Sequence, residues 1–558
     1  MKRIFNLLVA LEIMLIGANL FAAPAANESS QPPGRLKTIA VLGSSLASGW
    51  VTNFQARHDM ENGWAHRLAR ALALKGYQVV NISKPGDNSD AVLERMDKDL
   101  LPLKAGHVII GLSLENEGIR GTLGMTPPAV YEKFRENMLK IVAKCRANGI
   151  SPIIGLCYPC DRYQEEEYQY IKKMNLLINS WDLPSVNFLG ALDNGQGHFP
   201  QGYTYDEDHP GNRGHEEMFY AVVPTLFDAL QIGKTQPRKP ALGGFVTLKR
   251  TSRAAPLSYI PDDVIHSFTE AFRFRSATGG ILAAVSSGNG MSFIELSTDG
   301  SVQYVSSTGE AIRSRNKAAD NQWHDLVLSH RHLQGETLLF VDGVLAGKVG
   351  ERMEPRQYVL GGSGRRRGGK ASKKADFQDW LIFRAALNPD EVQNLFKGNI
   401  LQASLEVYAP LNDPDLKPGK PLPNLAQSLS EVVAYPSRTE AALTRIERRI
   451  KEAETARSGE LTLAEKQPIK VDPEIFDAYS GEYEIAPGDN IRIARKNDRI
   501  YLVDRGQETE LLAESATAFF IRQPLVDIVV TFFKDNMGVV TQLVFQVGDR
   551  AITAKKVK

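Results

Sequence analysis

Short apolar segments alternate with longer amphipathic segments over residues 37–231, and this alternation constrains the fold more than any other feature. The apolar segments have the length and residue types of buried strands and lie at residues 38–42, 77–82, 107–112 and 151–156. The helical patterns lie at residues 63–74, 129–147, 165–180 and 214–230. Strands that alternate with helices pair in parallel, because each helix carries the chain back across a face of the sheet. The sequence therefore predicts a three-layer α/β sandwich with a parallel sheet at residues 35–232.

The pattern changes after this region. Residues 232–240 are rich in Pro and Lys and predict a linker. From residue 267 onward, apolar and polar residues alternate with the period of two that half-buried strands show. This alternation predicts an all-β domain at residues 245–411. A chain of 558 residues is long enough for about three to four domains, so further domains are expected.

Two more segments complete the predicted organisation. A charge-rich stretch carries Leu443, Ile446 and Ile450 at spacings of three and four, which predicts a helical linker at residues 438–465. Short apolar strands separated by polar turns then predict a small all-β domain at residues 470–558. The net charge of +1 with 23% charged residues is that of an ordinary soluble protein and does not point to nucleic acid.

The N-terminus predicts export. A basic start precedes an apolar stretch and a run of small residues, which is typical of a secretory signal peptide, here residues 1–26. Glu12 interrupts the apolar stretch, so an uncleaved membrane anchor is the alternative. No later segment is apolar enough to span a bilayer, and we expect a periplasmic or extracellular protein. Its cysteines are Cys145, Cys157 and Cys160, of which the last two form either a local disulfide or a pair of free thiols.

Five chemically active groups follow one another along the α/β region, three of them directly after apolar segments. In chain order they are Ser45, Gly86, Asn116, Asp206 and His209. We expect them to lie together, because the carboxyl ends of parallel strands meet at one edge of a sheet. A hydroxyl nucleophile needs a base, a carboxylate that orients the base, and donors for the oxyanion. Residues three apart on a tight turn face the same side, so Asp206 should reach Nδ1 of His209 better than Asp208 does.

These residues resemble those of the SGNH hydrolases, also called the GDSL esterase and lipase family. Residues 43–49 match the family motif Gly-Asp-Ser-Leu-x-x-Gly, except that Ser44 stands at the usual Asp. Residues 206–210, Asp-Glu-Asp-His-Pro, match the last family motif, whereas the surroundings of Asn116 match the usual Gly-x-Asn-Asp less well. The resemblance implies a catalytic triad of Ser45, His209 and Asp206. It also implies an oxyanion hole made of Ser45 N–H, Gly86 N–H and the side chain of Asn116, with no metal or organic cofactor.

The all-β region resembles the laminin-G-like, concanavalin A-like jelly-roll family at residues 322–328, 338–345 and 377–391. This resemblance implies a jelly-roll fold and carbohydrate binding. The last domain resembles the small β-barrel module found behind serine β-lactamase-like peptidases. Trp323 and Trp380 either stack on sugar rings or pack in the core. The basic run at residues 364–370 either contacts an anionic polymer or is a solvated loop.

These features together predict a secreted serine esterase that hydrolyses an acyl or acetyl ester of a carbohydrate through a Ser45 acyl-enzyme. The expected partners are a small-molecule or polysaccharide ester and a glycan bound by the jelly-roll domain. The alternative is a non-catalytic glycan-binding or adhesion protein with a decayed hydrolase domain, an interpretation that Ser44 favours. Because the strand–helix pattern and the triad are complete before the linker, we expect a chain ending near Gln236 to fold and act alone.

Overall fold

The computed structural model describes residues 37–49, 62–240, 244–248, 257–362, 374–434, 440–461, 468–486, 489–504, 507–521, 528–535, 538–547 and 550–557. The predicted signal peptide at residues 1–26 and the basic run at residues 364–370 lie outside these ranges. None of the helices within the ranges combines the length and the apolar character that crossing a membrane requires.

The first domain is built on a five-stranded parallel sheet, which confirms the predicted fold class. Its strands are β1 (Thr38–Gly43), β2 (Gln78–Asn81), β3 (His107–Gly111), β4 (Ser151–Gly155) and β5 (Ser185–Val186), in the order β2-β1-β3-β4-β5. Its helices are α1 (Ser45–Ser48), α2 (Trp64–Ala73), α3 (Ser89–Asp99), α4 (Pro127–Ala147), α5 (Glu165–Asn179), α6 (Phe188–Leu192), α7 (Asn212–Tyr220) and α8 (Leu226–Gln231). Alternate residues of β1 enter two apolar cores, with Ala40 in one and Val41 in the other. The sheet is therefore covered on both faces.

One predicted helix is wrong, and α3 is the longest of the helices that were not predicted. The pattern at residues 214–230 predicts a single helix, whereas the structure has α7 and α8 with a break between them. Pro224 lies in the break, and proline has no N–H to donate to the preceding helical turn. Helix α3 was not predicted. It begins after Asn88, whose side chain accepts the N–H of Ala91 at 3.0 Å.

The second domain consists of two antiparallel sheets, as the jelly-roll resemblance implies, and confirms the predicted fold class. Its elements are β6 (Val246–Leu248), β7 (Leu257–Tyr259), β8 (Phe268–Arg275), β9 (Gly280–Ser287), β10 (Gly290–Leu296), β11 (Ser301–Val305), β12 (Ala311–Lys317), β13 (Trp323–Arg331), β14 (Glu336–Val341), β15 (Val344–Gly350), β16 (Pro355–Leu360), β17 (Ala375–Phe383), α9 (Pro389–Phe396), β18 (Leu405–Ala409), β19 (Pro421–Leu422) and β20 (Val432–Ala434). One sheet has the order β12-β11-β10-β9-β16-β7-β20-β19. The other has the order β15-β14-β13-β8-β17-β18, with β6 paired to β17.

Trp323 and Trp380, for which the sequence left two roles open, differ in their surroundings. Trp380 is fully buried in the jelly-roll core, where its Nε1 donates to Glu270 at 2.9 Å. Trp323 is half-buried, and the guanidinium groups of Arg273 and Arg275 lie 5.5 and 4.9 Å from its ring. Trp380 therefore packs in the core, and the ring of Trp323 is covered by two arginine side chains.

The last part of the chain forms a closed antiparallel barrel, which confirms the predicted fold class. Helix α10 (Glu440–Leu461) precedes it and lies within the predicted helical linker. The barrel elements are α11 (Ile475–Tyr479), β21 (Gly481–Ala486), β22 (Asp489–Lys496), β23 (Arg499–Asp504), β24 (Gln507–Ala513), β25 (Ala518–Ile521), β26 (Ile528–Lys534), β27 (Val540–Val547) and β28 (Arg550–Lys556). The strands pair in chain order, and β28 closes the barrel on β21.

The first two domains share a buried boundary. Leu333 of the jelly-roll domain is only 4% exposed and belongs to an apolar cluster of the first domain. Arg384 and Glu406 form a fully buried ion pair of 2.6 Å. Arg384 also donates to the backbone carbonyl of Tyr220 in the first domain. This boundary therefore contains both apolar and charged groups that are removed from water.

The predicted linker contacts the jelly-roll domain at several positions. Lys234 Nζ donates to the backbone carbonyls of Asn424 and Ser428, each at 2.7 Å. Pro237 is buried, and Lys239 lies 3.6 Å from Asp379. Burial lowers the pKa of Lys234. The linker is therefore held against the jelly-roll domain at Lys234 and Lys239 and is not a free spacer.

Candidate active site

Ser45 lies at the carboxyl end of β1, where the chain turns into α1. Gly43 permits this turn, because a Cβ at that position would lie 2.2 Å from the carbonyl oxygen of Gly111 at the end of β3. Only glycine allows the two strand ends to approach so closely. Ser45 itself is 8% exposed, so most of its surface is covered by the protein.

His209 contacts Ser45 with one ring nitrogen and Asp206 with the other. Its Nε2 lies 2.9 Å from Ser45 Oγ, and its Nδ1 lies 2.8 and 3.0 Å from the two carboxylate oxygens of Asp206. The carboxylate favours the tautomer that carries a proton on Nδ1, which leaves Nε2 free to accept the hydroxyl proton. Burial by itself would raise the pKa of Asp206. Hydrogen bonds from the ring of His209 and from backbone N–H groups outweigh it and hold that pKa below its ordinary value.

Asp208, the other carboxylate next to His209, has different partners. Its Oδ1 lies 3.3 Å from the thiol sulfur of Cys160, and its Oδ2 lies 3.2 Å from a guanidinium nitrogen of Arg162. The structure therefore brings Asp206, and not Asp208, to the imidazole of His209.

Gly86 and Asn116 lie in the loops that follow β2 and β3. Gly86 has a φ of +84°, in the left-handed region that favours glycine. Asn116 Nδ2 donates to the backbone carbonyl of Asp87 at 2.9 Å, which joins the two loops. An amide group has two N–H bonds, so this contact uses one of the two that Asn116 offers. Sequence reasoning did not single out Asp87, although its position next to Gly86 was a signal that could have found it.

Ser44, which departs from the family motif, is buried and forms a hydrogen bond of 3.1 Å with the hydroxyl of Tyr158. Sequence reasoning could not find this contact, because the two residues are 114 positions apart. Tyr158 lies between Cys157 and Cys160, which are both free thiols, so the disulfide alternative is not realised. Burial raises the pKa of Cys157 to about 12, and this thiol is therefore protonated and unreactive near neutral pH.

Two groups of described residues have the chemistry of metal ligands. The group beside the site consists of Glu115, Cys160 and Asp208. Arg120 donates to Glu115 at 2.6 Å, and Arg162 lies 3.2 Å from Asp208, so both carboxylates are already paired with cations. The group at the domain boundary consists of Glu217, His266 and His332. Its two imidazole rings stack with centroids 4.0 Å apart and planes 10° apart, and in that arrangement their lone pairs do not converge on one ion.

Solved structures with similar folds cover single parts of the chain. A GDSL-like lipase from Bacteroides thetaiotaomicron is 18% identical and covers 34% of this chain and 87% of its own, with a TM-score of 0.26. The acetylxylan esterase Axe2 from Geobacillus stearothermophilus is 16% identical and covers 34% of this chain and 94% of its own, with a TM-score of 0.27. A SAP-like pentraxin from Limulus polyphemus is 12% identical and covers 29% and 80%, with a TM-score of 0.22. At these values the likenesses carry no argument about substrate.

Family comparisons cover both of the first two domains. Residues 41–217 match the GDSL-like Lipase/Acylhydrolase family, and residues 262–393 match the Concanavalin A-like lectin/glucanases superfamily. A search of the curated proteins finds no match. The first match contains the strand ends and loops that hold Ser45, Gly86, Asn116 and His209. The chain therefore carries an ester-hydrolysing domain of the GDSL-like lipase/acylhydrolase family, followed by a domain of the concanavalin A-like superfamily.

Proposed function

We propose that the protein is a secreted esterase that removes an acyl or acetyl group from a carbohydrate, with Ser45 as the nucleophile. The observation that carries this proposal is the unbroken contact from Asp206 through His209 to Ser45, with distances of 2.8 and 2.9 Å. The concanavalin A-like domain supports a carbohydrate as the alcohol part. The basic start and apolar stretch of residues 1–26 support export.

The proposed reaction has two steps. Ser45 Oγ attacks the carbonyl carbon of the ester while its proton moves to Nε2 of His209. The oxyanion that forms accepts hydrogen bonds from the backbone N–H groups of Ser45 and Gly86 and from the side-chain amide of Asn116. Asp206 stabilises the imidazolium, which then donates its proton to the leaving alcohol. Water attacks the acyl-enzyme with His209 as the base, which releases the acid and restores the hydroxyl of Ser45.

We expect Ser45→Ala to abolish hydrolysis of a chromogenic acetate and labelling by a fluorophosphonate. Ser44→Ala is the matched control and should retain most activity, because the hydroxyl of Ser44 contacts Tyr158 rather than His209. Asn116→Ala should lower kcat by about a hundredfold with little change in KM, as expected for loss of one oxyanion donor. If Ser44→Ala is the inactive variant, the assignment of the nucleophile is wrong.

A second pair of variants tests the orienting carboxylate. Asp206→Asn should lower kcat by roughly 10³ to 10⁴, because an amide cannot hold His209 in the required tautomer. Asp208→Asn removes an equal charge one position from His209 and should have little effect. The lowered pKa of Asp206 keeps its carboxylate ionised at neutral pH, so the wild-type protein holds His209 with a charged group that Asp206→Asn removes. The opposite ranking of the two variants would reassign the carboxylate.

The carbohydrate part of the proposal needs its own substrates. The wild-type protein should hydrolyse acetylated xylan as well as a chromogenic acetate, with release of acetate as the measurement. If the protein hydrolyses only the small ester, the proposed esterase activity stands and the proposed carbohydrate substrate is wrong. If the protein hydrolyses neither ester and is not labelled at Ser45, the alternative of a non-catalytic glycan-binding protein is favoured.

A further inference from the structure

We propose that the turn between β13 and β14, residues 332–335 of the jelly-roll domain, positions the loop that carries His209. The inference rests on the proposed function, in which His209 is the general base. It makes the jelly-roll domain a part of the catalytic unit rather than a detachable module. Leu333 and Gln334 are then positioning residues, which act on the reaction through the loop.

The turn and the adjoining end of β13 contact segment 193–199 of the hydrolase domain at two points and share an apolar cluster with it. Leu333 is buried in the same apolar cluster as Phe199. Gln334 Nε2 donates to the backbone carbonyl of Asp193 at 2.9 Å. The guanidinium of Arg331 lies against Gly195, where an added Cβ would be 2.5 Å from Nη1. The start and the middle of the segment therefore contact the second domain, and its end shares an apolar cluster with Leu333.

The turn is itself held in one shape. Arg352 donates from Nε to the carbonyl of His332 and from Nη2 to the carbonyl of Leu333, both at 3.0 Å. The N–H of Gly335 donates to the carbonyl of His332 at 3.1 Å. A support whose own backbone is fixed in this way can transmit a defined position to the loop packed against it.

Hydrogen bonds connect the supported segment to the base. The N–H of Phe199 donates to the carboxylate of Asp161 at 2.8 Å. The N–H of Asp161 donates to the carbonyl of Glu207 at 2.8 Å, two residues before His209. Each link joins one loop to another, so the position of His209 depends on the turn as well as on the sheet. A misplacement of about 1 Å at a reacting group can cost about a hundredfold in rate.

The test combines kinetics with hydrogen exchange on the full chain. Leu333→Ala and Gln334→Ala should each lower kcat by about tenfold or more while KM stays within about twofold, because a displaced base slows the chemical step. Peptides that cover residues 193–211 should exchange faster in both variants. Leu333→Met, which keeps the apolar volume, should restore the wild-type rate and exchange.

Two controls separate positioning from general loss of stability. Leu296→Ala removes a side chain that is 1% exposed in the jelly-roll core. Gln357→Ala removes an amide hydrogen bond of 2.7 Å to Ser258 in the same domain. Both should lower the melting temperature without changing kcat or the exchange of residues 193–211. If Leu333→Ala does not fold, Gln334→Ala remains, because it removes one hydrogen bond at the edge of the boundary.

The outcomes are distinct. Unchanged exchange of residues 193–211 in Gln334→Ala and Leu333→Ala would overturn the proposal, as would faster exchange with an unchanged kcat. A wild-type protein without esterase activity or Ser45 labelling would refute the proposed function. In that case the exchange experiment alone decides whether the turn orders the loop.

Discussion

The boundary between the hydrolase and jelly-roll domains differs from the one that precedes the C-terminal barrel. At the first boundary, Leu333 lies in the apolar cluster of the hydrolase domain, and the buried Arg384 donates to a carbonyl of that domain. The barrel core consists instead of residues between Phe476 and Ala554, from its own strands and the short helix before them. A domain that completes its own core can be removed without exposing apolar surface elsewhere, whereas one that shares a core cannot.

The comparison changes how the domain order is understood. Sequence patterns favour three independent units joined by linkers. The first linker is instead packed against the jelly-roll domain through Lys234 and Lys239. The described residues of the hydrolase and jelly-roll domains therefore share buried contacts, whereas the described residues of the barrel form a core of their own.

Truncation should show the largest difference between the two boundaries. We expect a chain ending at residue 236 to be insoluble or nearly inactive, because it loses the apolar and hydrogen-bonding cover of the hydrolase domain. A chain ending at residue 461 keeps α10 and should retain most of the activity on a chromogenic acetate. The measurements are soluble yield, melting temperature and kcat/KM. A stable, active chain ending at residue 236 would restore the independent domain that the sequence predicts.

The next largest effect concerns buried and exposed ion pairs. Arg384→Met leaves Glu406 charged, buried and unpaired, and should lower the unfolding free energy by about 3–5 kcal/mol. The matched control is Arg499→Ala in the barrel, whose partner Glu510 is 3.1 Å away on an exposed surface. That change should cost about 0–1 kcal/mol. Urea denaturation of both variants checks the ranking, and equal losses would contradict the difference between the two regions.

A smaller, pH-dependent effect should also separate the regions. Burial raises the pKa of Glu270 to about 8 and that of Glu391 to about 7, from an ordinary 4.5. Between pH 4.5 and about 8 the unfolded chain has released these protons and the folded chain retains them, so stability falls as pH rises. Glu270→Gln should flatten this fall. Calorimetry from pH 5 to 9 should show the slope in the hydrolase–jelly-roll transition and not in the barrel transition, and a variant slope equal to that of wild type would remove Glu270 as its cause.

Much of the local structure was predictable because it depends on neighbouring residues. The pattern of apolar residues predicted the parallel sheet and the two all-β domains, and the family resemblances predicted the jelly roll and the barrel. The short motifs around Ser45 and His209 predicted the residues that the structure brings into contact. The exception at residues 214–230 also has a local cause, since Pro224 outweighs the apolar periodicity around it.

Other contacts were beyond the reach of pattern reasoning. Ser44 pairs with Tyr158 across 114 positions, and Asn116 finds the carbonyl of Asp87 in a different loop. Leu333 is an ordinary apolar residue in a turn, and nothing in its neighbourhood indicates that it enters the core of another domain. Such contacts depend on the shapes of surfaces that form only when elements far apart in the chain pack together.

The sequence by itself therefore determined the three folds and the set of groups from which an esterase site can be built. Only the tertiary structure decided that the loop before His209 is supported from the jelly-roll domain, through Gln334 and Asp193 at 2.9 Å. The physical reason is that the period of apolar residues indicates which side chains are buried, and a short motif indicates which chemical groups are present. Neither records which distant surface supplies the cover, because that depends on shape and polar complementarity between elements far apart in the chain.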